Sequence, residues 1–409
     1  METLLDRFCR YVKVETTAVE EPVKYPSSEG QFTLGKMLAE EMKSIGLEDV
    51  RISEFGIVTG TIPGNVAGAP TIAWLAHMDT SPEASGKNVQ PQIIKNYNGQ
   101  DIVLPGNPAK VIKVAETKGL AELNGKTVIT SDGKTLLGAD DKAGVAVIMT
   151  TAAHLMANPN LKHGPIRVVF TTDEEVGRGT DKVDIKAINA TCAYTLDGEG
   201  AGGIENETFS ADMATVTITG VNIHPGLATG KMVNAIRLAG QFLSRLPWHR
   251  LAPETTAKRD GFMHPYAIEG GVPEVRIRIL LRSFVTAELA EQAKMLQTVA
   301  DSVMAEHPKA KIAIEVKKQY RNMIEHLEKE PRAAKLAAEA YRRIGMEPDF
   351  QFIRGGTDGS RLSEMGLPTP NLSTGMHNFH GELEFACLEQ METSVKVLTE
   401  LAQLWGQEK

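Results

Sequence analysis

Residues 165–177, PIRVVFTTDEEVG, decide the fold class that this sequence predicts. The unbroken apolar run is typical of a strand buried on both faces of a parallel sheet. It ends in three consecutive acids, Asp173, Glu174 and Glu175, whose charges repel one another at close range. Because ligands of open α/β sheets bind outside the carboxyl ends of the strands, this stretch predicts an α/β sheet with a binding site at that edge.

Metal-binding types of side chain recur at the ends of other apolar runs. Acids or histidines end the strand-like segments IAWLAHMDT (72–80), LLGADDKAG (136–144) and AYTLDGEG (193–200), and NFHGELEF (378–385) lies near the C-terminus. The candidate ligands are His77, Asp79, Asp140, Asp141, Glu174, Glu175, Asp197 and His380. Histidine nitrogen and carboxylate oxygen suit zinc or a similar ion, and this set exceeds what one tetrahedral site needs. The residues alone therefore favour a two-metal hydrolytic site.

Each of these residues also has an ordinary structural explanation. A single acid at a strand end most often caps a helix or lies in a solvated turn, and a lone histidine usually makes a hydrogen bond within the protein. For Asp173 a turn or capping role is the favoured interpretation. The metal hypothesis therefore depends on the recurrence of the pattern and not on any one motif.

The whole chain predicts two domains. Its 409 residues exceed what one hydrophobic core usually serves. Apolar strands alternate with helices over 1–209 and 320–409, which predicts a catalytic α/β domain with a mixed, mostly parallel sheet covered by helices. Between them, 210–319 follows the β-α-β-β-α-β order of a ferredoxin-like fold. We therefore expect an inserted α+β domain that acts as a lid or dimerisation domain.

Composition limits the partners and the compartment that we expect. The net charge is −8 and no basic patch interleaved with aromatic residues occurs, so nucleic acid is not an expected partner. Cys9, Cys192 and Cys387 lie far apart and fit reduced thiols. The N-terminal segment lacks the apolar core of a signal peptide, and no run is long enough to span a membrane. A cytoplasmic protein without membrane association is expected.

These residues together resemble the co-catalytic di-zinc metallopeptidases, the family that includes aminoacylase and the glutamate carboxypeptidases. The family motifs are HMD (77–79), GADDKAG (138–144), DEEVG (173–177), LDG (196–198) and the late His380. Further stretches are similar to its tripeptide aminopeptidase branch: YPSSEGQ (25–31), SPEASGKNVQPQI (81–93), TSDGKTLLGADDKAG (130–144), IHPG (223–226), IRGGTDG (353–359) and NFHGELEF (378–385). The resemblance covers essentially the whole chain.

The resemblance implies two zinc ions in each subunit. His77 and Asp197 would bind one ion, and Glu175 and His380 the other. Asp140 would bridge both. Co²⁺ or Mn²⁺ would suit the same ligands, because metal identity depends on geometry and availability as well as on ligand type.

It also implies roles for the residues next to these ligands. Asp79 would orient His77, as carboxylates commonly do for metal-bound imidazoles. Glu174 would act as the general base for the attacking water and then pass the proton to the leaving amine. The peptide bond between Asp140 and Asp141 is expected to be cis.

Four residues are expected to contact the substrate. The resemblance places His224 where it would stabilise the developing oxyanion, although without it an ordinary loop histidine is the favoured interpretation. Arg282 and Arg354 are candidates for the carboxylate at the far end of a short peptide, since arginine binds carboxylates with two hydrogen bonds. For each arginine a surface salt bridge is at least as common. Gly355 would let the backbone approach the substrate closely, or it forms a plain turn.

The expected activity is release of the N-terminal residue from short peptides, preferentially tripeptides. Two alternatives stay open: a dipeptidase or N-acyl amino acid deacylase on the same scaffold, and a non-catalytic peptide-binding module. Glu199, where the branch pattern leads us to expect glycine, and GMHNFHG (375–381) depart from that pattern on the expected substrate side. A homodimer through the inserted domain is a further expectation, by analogy of fold.

Overall fold

The computed structural model describes residues 2–409 and contains two compact units. The first consists of the described residues up to Asn206, together with His326–Phe352 and Thr357–Lys409. The second consists of Glu207–Glu325 and the short return segment Ile353–Gly356. Arg354 and Gly355, placed by the sequence analysis in the 320–409 part of the catalytic domain, therefore belong to the second unit.

The described chain up to Thr208 forms four helices and ten strands. In order they are α1 (Leu4–Tyr11), α2 (Glu29–Ile45), β1 (Glu48–Ile52), β2 (Val58–Ile62), β3 (Ile72–His77), β4 (Gln92–Ile94), β5 (Ile102–Val103), β6 (Val111–Ile112), β7 (Val128–Thr130), α3 (Ala139–Ala157), β8 (Ile166–Thr171), α4 (Ile185–Ile188), β9 (Cys192–Glu199) and β10 (Gly203–Thr208).

The remaining elements complete both units. They are β11 (Ser210–Thr219), α5 (Ala235–Ser244), β12 (Phe262–Gly270), β13 (Glu274–Ser283), α6 (Thr286–Glu306), β14 (Lys311–Tyr320), α7 (Ile324–Leu327), α8 (Arg332–Arg343), β15 (Asp349–Ile353), α9 (Asp358–Glu364), β16 (Asn371–His377), β17 (Phe385–Cys387) and α10 (Leu388–Trp405). Short 3-10 turns lie at Leu120–Leu123, Pro225–Leu227 and Pro253–Thr255.

A mixed sheet of 11 strands forms the centre of the first unit. Its order is β1-β2-β8-β3-β9-β16-β17-β7-β4, with β10 beside β16 and β15 beside β10. The central pairs β8–β3, β3–β9 and β9–β16 are parallel, whereas the pairs that flank them are antiparallel. The predicted mixed α/β sheet is confirmed, but it is not mostly parallel: among the described strands its parallel pairing is limited to these three central pairs, and the outer pairs are antiparallel.

Helices cover both faces of the central parallel strands, because the crossover connections between parallel strands place helices there. Every residue of β3 is buried, and so are all residues of β8 except one. One face packs against helices α1, α2, α3, α8 and α10, and the other packs against α4 and α9. Continuous apolar runs fit such doubly covered strands, as the sequence predicted for both.

The second unit follows the predicted β-α-β-β-α-β succession over β11 to β14. Its four strands pair in the antiparallel order β12-β13-β11-β14. Buried side chains of β11 and β13, such as Val216 and Ile277, pack with Phe242 of α5 and Leu296 of α6. Within residues 2–409, no helix combines the length and apolar character needed to cross a membrane.

Candidate metal centre

The five predicted metal ligands lie together at the carboxyl edge of the parallel strands. His77 is the last residue of β3, Asp140 stands at the start of α3, Glu175 follows β8, Asp197 lies near the end of β9, and His380 follows β16. Each is within 4 Å of at least one other member of the set. Parallel neighbours end at the same edge, which is why residues so distant in sequence meet there.

Asp140 occupies the middle of this cluster. Its Oδ1 lies 2.9 Å from Nε2 of His77, and its Oδ2 lies 3.4 Å from Nε2 of His380. Asp197 Oδ1 is 3.7 Å from the same nitrogen of His77, and Glu175 Oε2 is 2.9 Å from that of His380. The two oxygens of Asp140 thus face two separate groups of ligands. The Asp140–Asp141 peptide bond is cis, as expected.

The donor set fits divalent cations. Tetrahedral ligands at zinc distances lie about 3.3 Å from one another, and the separations between neighbouring donor atoms here span 2.9 to 3.7 Å. Two trios, His77–Asp140–Glu175 and His77–Asp141–Asp197, each offer ligand atoms within 4.8 Å of one another. Glu175 Oε1 is buried and has no hydrogen-bond partner, so it is an unused ligand atom inside the cluster. A buried, unsatisfied carboxylate oxygen is costly unless a cation or donor meets it.

The electrostatics of the cluster show an excess of buried negative charge. Burial, then the charge of Asp140, raises the pKa of Glu175 to about 7 and that of Asp197 to about 8. Hydrogen bonds to Asp140 and Glu175 raise the pKa of His380 to about 11. Protons bound to these side chains therefore supply the positive charge that offsets the buried carboxylates. Metal cations would displace those protons.

Metal affinity is expected to fall as the pH is lowered from 8 to 6. Glu175 and Asp197 have pKa values of about 7 and about 8, so both carry protons at pH 6 that a cation must displace. Each displaced proton weakens apparent affinity by about tenfold per pH unit. Competition titrations with a chelator of known pH dependence at pH 6, 7 and 8 would measure this. An affinity that stays constant across the range would contradict it.

A carboxylate stands behind each of the two histidines. Asp79 is fully buried, and its Oδ1 lies 3.5 Å from Nδ1 of His77. Glu83 Oε2 lies 3.7 Å from Nδ1 of His380. The carbonyl oxygen of Asp79 also lies 3.2 Å from Nδ1 of His77, so Asp79 holds this ring with Nε2 toward Asp140. Glu83 makes only the longer contact to His380. Glu83 was not singled out from the sequence, although it lies in the quoted SPEASG stretch.

Asp79 also organises the acidic loop. Its two oxygens accept hydrogen bonds from the backbone N–H groups of Glu174 and Glu175, at 3.1 and 3.0 Å. Consecutive residues leaving a strand point in different directions. Burial, followed by the charge of Asp358, raises the pKa of Glu174 well above its usual range. A carboxyl group with a raised pKa is suited to accepting and releasing a proton near neutral pH.

The structure adds Glu384, to which the sequence analysis assigned no role. This buried carboxylate accepts hydrogen bonds from the N–H groups of Leu137 and Gly138, both at 2.7 Å, and of Asp140, at 2.9 Å. Glu384 lies four residues after His380. It therefore ties the segment that carries one histidine to the turn that carries the central Asp140.

Two further acids, Asp141 and Asp358, line the site. Together with His77 and Asp197 they surround a cavity of about 10 Å³, roughly the size of one water or ion. Asp141 accepts from the N–H groups of His77 and Gly144, at 3.1 and 3.2 Å, so its oxygens already have partners. Asp358 was visible in the quoted GTDG stretch but had no assigned role.

Asp173 is buried and does not lie in a solvated turn. It accepts hydrogen bonds from the backbone N–H of Ser27, at 2.8 Å, and from Nε2 of Gln31, at 2.7 Å. Its backbone takes the left-handed conformation, with φ at 61°. Asp173 therefore caps the segment that leads into α2, and these hydrogen bonds anchor the acidic loop to that segment.

The residues predicted to contact substrate all lie in the second unit. His224 is exposed in a 3-10 turn, and its Nδ1 accepts the N–H of Gly226 at 3.2 Å. Nη1 of the buried Arg282 donates to the carbonyl oxygens of Asp212 and Leu281, at 3.1 and 2.9 Å. These nitrogens are thus engaged within their own unit.

Arg354 and Gly355 lie on the short return segment. Arg354 donates to the carbonyl oxygens of Lys258 and Asp260, at 2.7 and 3.1 Å. A Cβ added at Gly355 would meet its nearest neighbour only at 3.9 Å, whereas one at Gly356 would lie 2.6 Å from the ring of Tyr320. The close approach that requires glycine is therefore at Gly356.

Comparisons with known proteins show the family and the fold to which this chain is similar. The model of peptidase family M20/M25/M40 matches residues 130–404. Peptidase T of Geobacillus sp. (strain WCH70) is 44% identical over 405 residues, covering 99% of this chain and 98% of that protein. The structure of aminopeptidase PepT from Bacillus cereus ATCC 10987 has a TM-score of 0.77 at 23% identity, covering 99% of this chain and 98% of that one. The Bacillus subtilis YXEP protein, a dinuclear metal-binding peptidase of the M20 family, has a TM-score of 0.65 at 16% identity, covering 98% and 97%.

Proposed function

The chain belongs to peptidase family M20/M25/M40, and we propose that it is a two-zinc aminopeptidase that removes the N-terminal residue from tripeptides. One observation carries the metal part of the proposal: the two oxygens of Asp140 face His77 and His380 separately. A carboxylate placed in this way suits a bridge between two cations. The tripeptide part is supported by the extent of the similarity to proteins named peptidase T.

Five side chains would hold the metal ions. His77 and Asp197 form one group, Glu175 and His380 the other, and Asp140 is shared. When bound, two such cations lower the pKa of a shared water and polarise the scissile carbonyl. Co²⁺ or Mn²⁺ would also suit these ligands, so zinc is proposed on ligand type.

Glu174 would move the proton in this reaction. Its backbone N–H donates to Asp79 at 3.1 Å, and burial, followed by the charge of Asp358, raises the pKa of its carboxyl group. In the proposed reaction it takes a proton from the attacking water and delivers it to the nitrogen of the leaving amine. Asp79 contacts both the backbone of Glu174 and the ring of His77, so it would fix the proposed base relative to a proposed metal ligand.

The substrate side of the proposal is compatible with a short peptide. A free α-ammonium suits a site rich in carboxylates, and arginine suits the terminal carboxylate. Arg282 and Arg354 stay predicted contacts for that carboxylate, and His224 stays the predicted oxyanion donor. Gly355 stays a predicted point of close approach between the backbone and the substrate. A homodimer through the second unit and a cytoplasmic location are likewise proposals.

A panel of substrates and metals tests the proposed activity. Metal-free protein is reconstituted with Zn²⁺, Co²⁺ or Mn²⁺ and assayed on Ala-Ala, Ala-Ala-Ala, Ala-Ala-Ala-Ala and N-acetyl-Ala. We expect Ala-Ala-Ala to have the highest kcat/KM, by about tenfold or more, and N-acetyl-Ala to be resistant because it lacks the ammonium group. Preference for Ala-Ala or for N-acetyl-Ala would instead establish a dipeptidase or a deacylase. Peptide binding without turnover in any metal form would favour the binding module.

A further inference from the structure

Glu199 is a half-exposed carboxylate close in sequence to the candidate ligand Asp197, and it has no place among the predicted ligands. It is the last residue of β9, two positions after Asp197. Residues two apart on a regular strand line the same face, about 6.6 Å apart along it, and the pairing of β9 with β16 is irregular over this stretch. Its side chain is 45% exposed, whereas that of Asp197 is 15% exposed. Glu199 therefore extends the line of acids from the buried centre toward solvent.

His377 is the side chain that contacts this carboxylate. Its Nδ1 lies 3.5 Å from Oε1 of Glu199, and its Nε2 lies 2.7 Å from Oε1 of Gln390. The imidazole ring stacks on Phe385, with centroids 4.7 Å apart and planes 11° apart. His377 is 7% exposed and its ring is held by Gln390 and Phe385, so it offers Glu199 a stationary contact.

The backbone beneath Glu199 is fixed as well. Its carbonyl oxygen accepts a hydrogen bond from Oγ of Ser373 at 2.9 Å, and it pairs with Met376 of β16. The same strand ends at His377 and leads to His380. The position of Glu199 is thus set by the two strands that carry Asp197 and His380. An exposed acid without such support would cost more side-chain entropy to hold a ligand.

We propose that Glu199 binds an ammonium group of the substrate, with His377 as its positioning residue. The inference rests on the proposed aminopeptidase function, since such substrates carry an α-ammonium next to the bond that is cut. The contact with His377 engages Oε1 and leaves Oε2 able to accept from a ligand. Two sources of this chemistry exist, the N-terminal amine and the side chain of an N-terminal lysine. Both are primary ammonium groups that donate to carboxylates.

Glu199→Gln tests the proposal because it removes the charge and keeps the shape. We expect KM for the substrate that uses this contact to rise about tenfold, with kcat within about threefold and metal content unchanged. Equal increases for Ala-Ala-Ala and Lys-Ala-Ala would assign the contact to the α-ammonium. An increase for Lys-Ala-Ala alone, with norleucine-Ala-Ala unaffected, would assign it to the lysine side chain. Unchanged KM for all three peptides would overturn the proposal.

Two further variants separate positioning from structural damage. His377→Phe keeps a ring on Phe385 but cannot hold Glu199, so we expect a smaller rise in KM in the same direction. Glu347→Gln removes one negative charge from a side chain that is 90% exposed, and should leave KM unchanged. A loss of metal or of kcat in Glu199→Gln, without a change in KM, would show a structural role and overturn the proposal.

Binding to an inactive protein makes the test independent of turnover. Calorimetry compares the same peptides on Glu174→Gln and on Glu174→Gln combined with Glu199→Gln. Weaker binding by about tenfold in the double variant supports the proposal, and equal binding overturns it. If the natural chain cleaves none of the peptides, the proposed function fails, while this comparison still decides the role of Glu199.

Discussion

Glu174→Gln is expected to lower kcat by a factor of about 10³ or more while both metal positions keep their affinity. General acid–base groups commonly contribute 10²–10⁴-fold, and this one would act twice in each turnover. Glutamine preserves the side-chain shape, and the hydrogen bond at 3.1 Å from the backbone N–H of residue 174 to Asp79 is unaffected. Turnover of Ala-Ala-Ala and metal content by mass spectrometry would be measured on the same preparation.

The neighbouring Glu175→Gln is the matched control. It makes the same chemical change one residue along, but Oε2 of Glu175 contacts Nε2 of His380 at 2.9 Å and its Oε1 is an unused ligand atom. We therefore expect Glu175→Gln to lose metal as well as activity. Near-normal turnover in Glu174→Gln would refute the base assignment. Equal metal loss in both variants would show that position 174 also supports the ions.

The parallel core of the fold was predictable because its strands are almost entirely hydrophobic, with Arg167 the charged exception in Ile166–Thr171. Ile72–His77 and Ile166–Thr171 pair residue by residue, and each is followed by functional side chains. A buried strand must be apolar on both faces, so its polar ends stand out in the sequence. The clustering of the candidate ligands was predictable for this reason, and the family resemblance proposed partners among them that spacing alone left open.

The supporting contacts were not predictable, because their partners are distant in sequence. Glu384 bonds to backbone groups 244 to 247 residues earlier, and Asp173 bonds to Ser27 across 146 residues. Backbone N–H groups have no signature in a sequence, so an acid that will accept from them looks like a solvated acid. Burial distinguishes the two cases, and burial is known only once the chain is folded.

The sequence analysis named Gly355 as the point of close approach, whereas the structure requires a glycine at Gly356. Gly355 and Gly356 are adjacent glycines, and the sequence offers no reason to prefer one. The ring of Tyr320 lies against Gly356 alone, so the steric requirement comes from a residue 36 positions earlier. Arg354 was a candidate for binding the substrate carboxylate because it is an arginine. In the fold, its Nη1 donates to two carbonyl oxygens of its own unit.

Asp140→Asn is expected to weaken both metal positions together, by at least about 100-fold each, and to leave no measurable turnover. Loss of a partner that only orients a ligand costs about 10- to 100-fold, so loss of the shared charge should cost more. Asp140 is the side chain that faces both histidines, at 2.9 and 3.4 Å. Isothermal titration calorimetry, in which zinc is added to the metal-free protein, would give the number of sites and their affinities.

Variants of the outer ligands show whether the effect comes from sharing. Asp197→Asn removes a contact to His77 only, and His380→Ala removes contacts to Glu175 and Asp140 on the other side. Each should weaken one position strongly and the other less, whereas Asp140→Asn should weaken both. If Asp140→Asn lost one ion and kept the other at its original affinity, Asp140 would belong to a single site and the bridge would be wrong. Two ions that depend on one carboxylate would also bind in a coupled manner, because occupying the first position fixes the oxygen that serves the second.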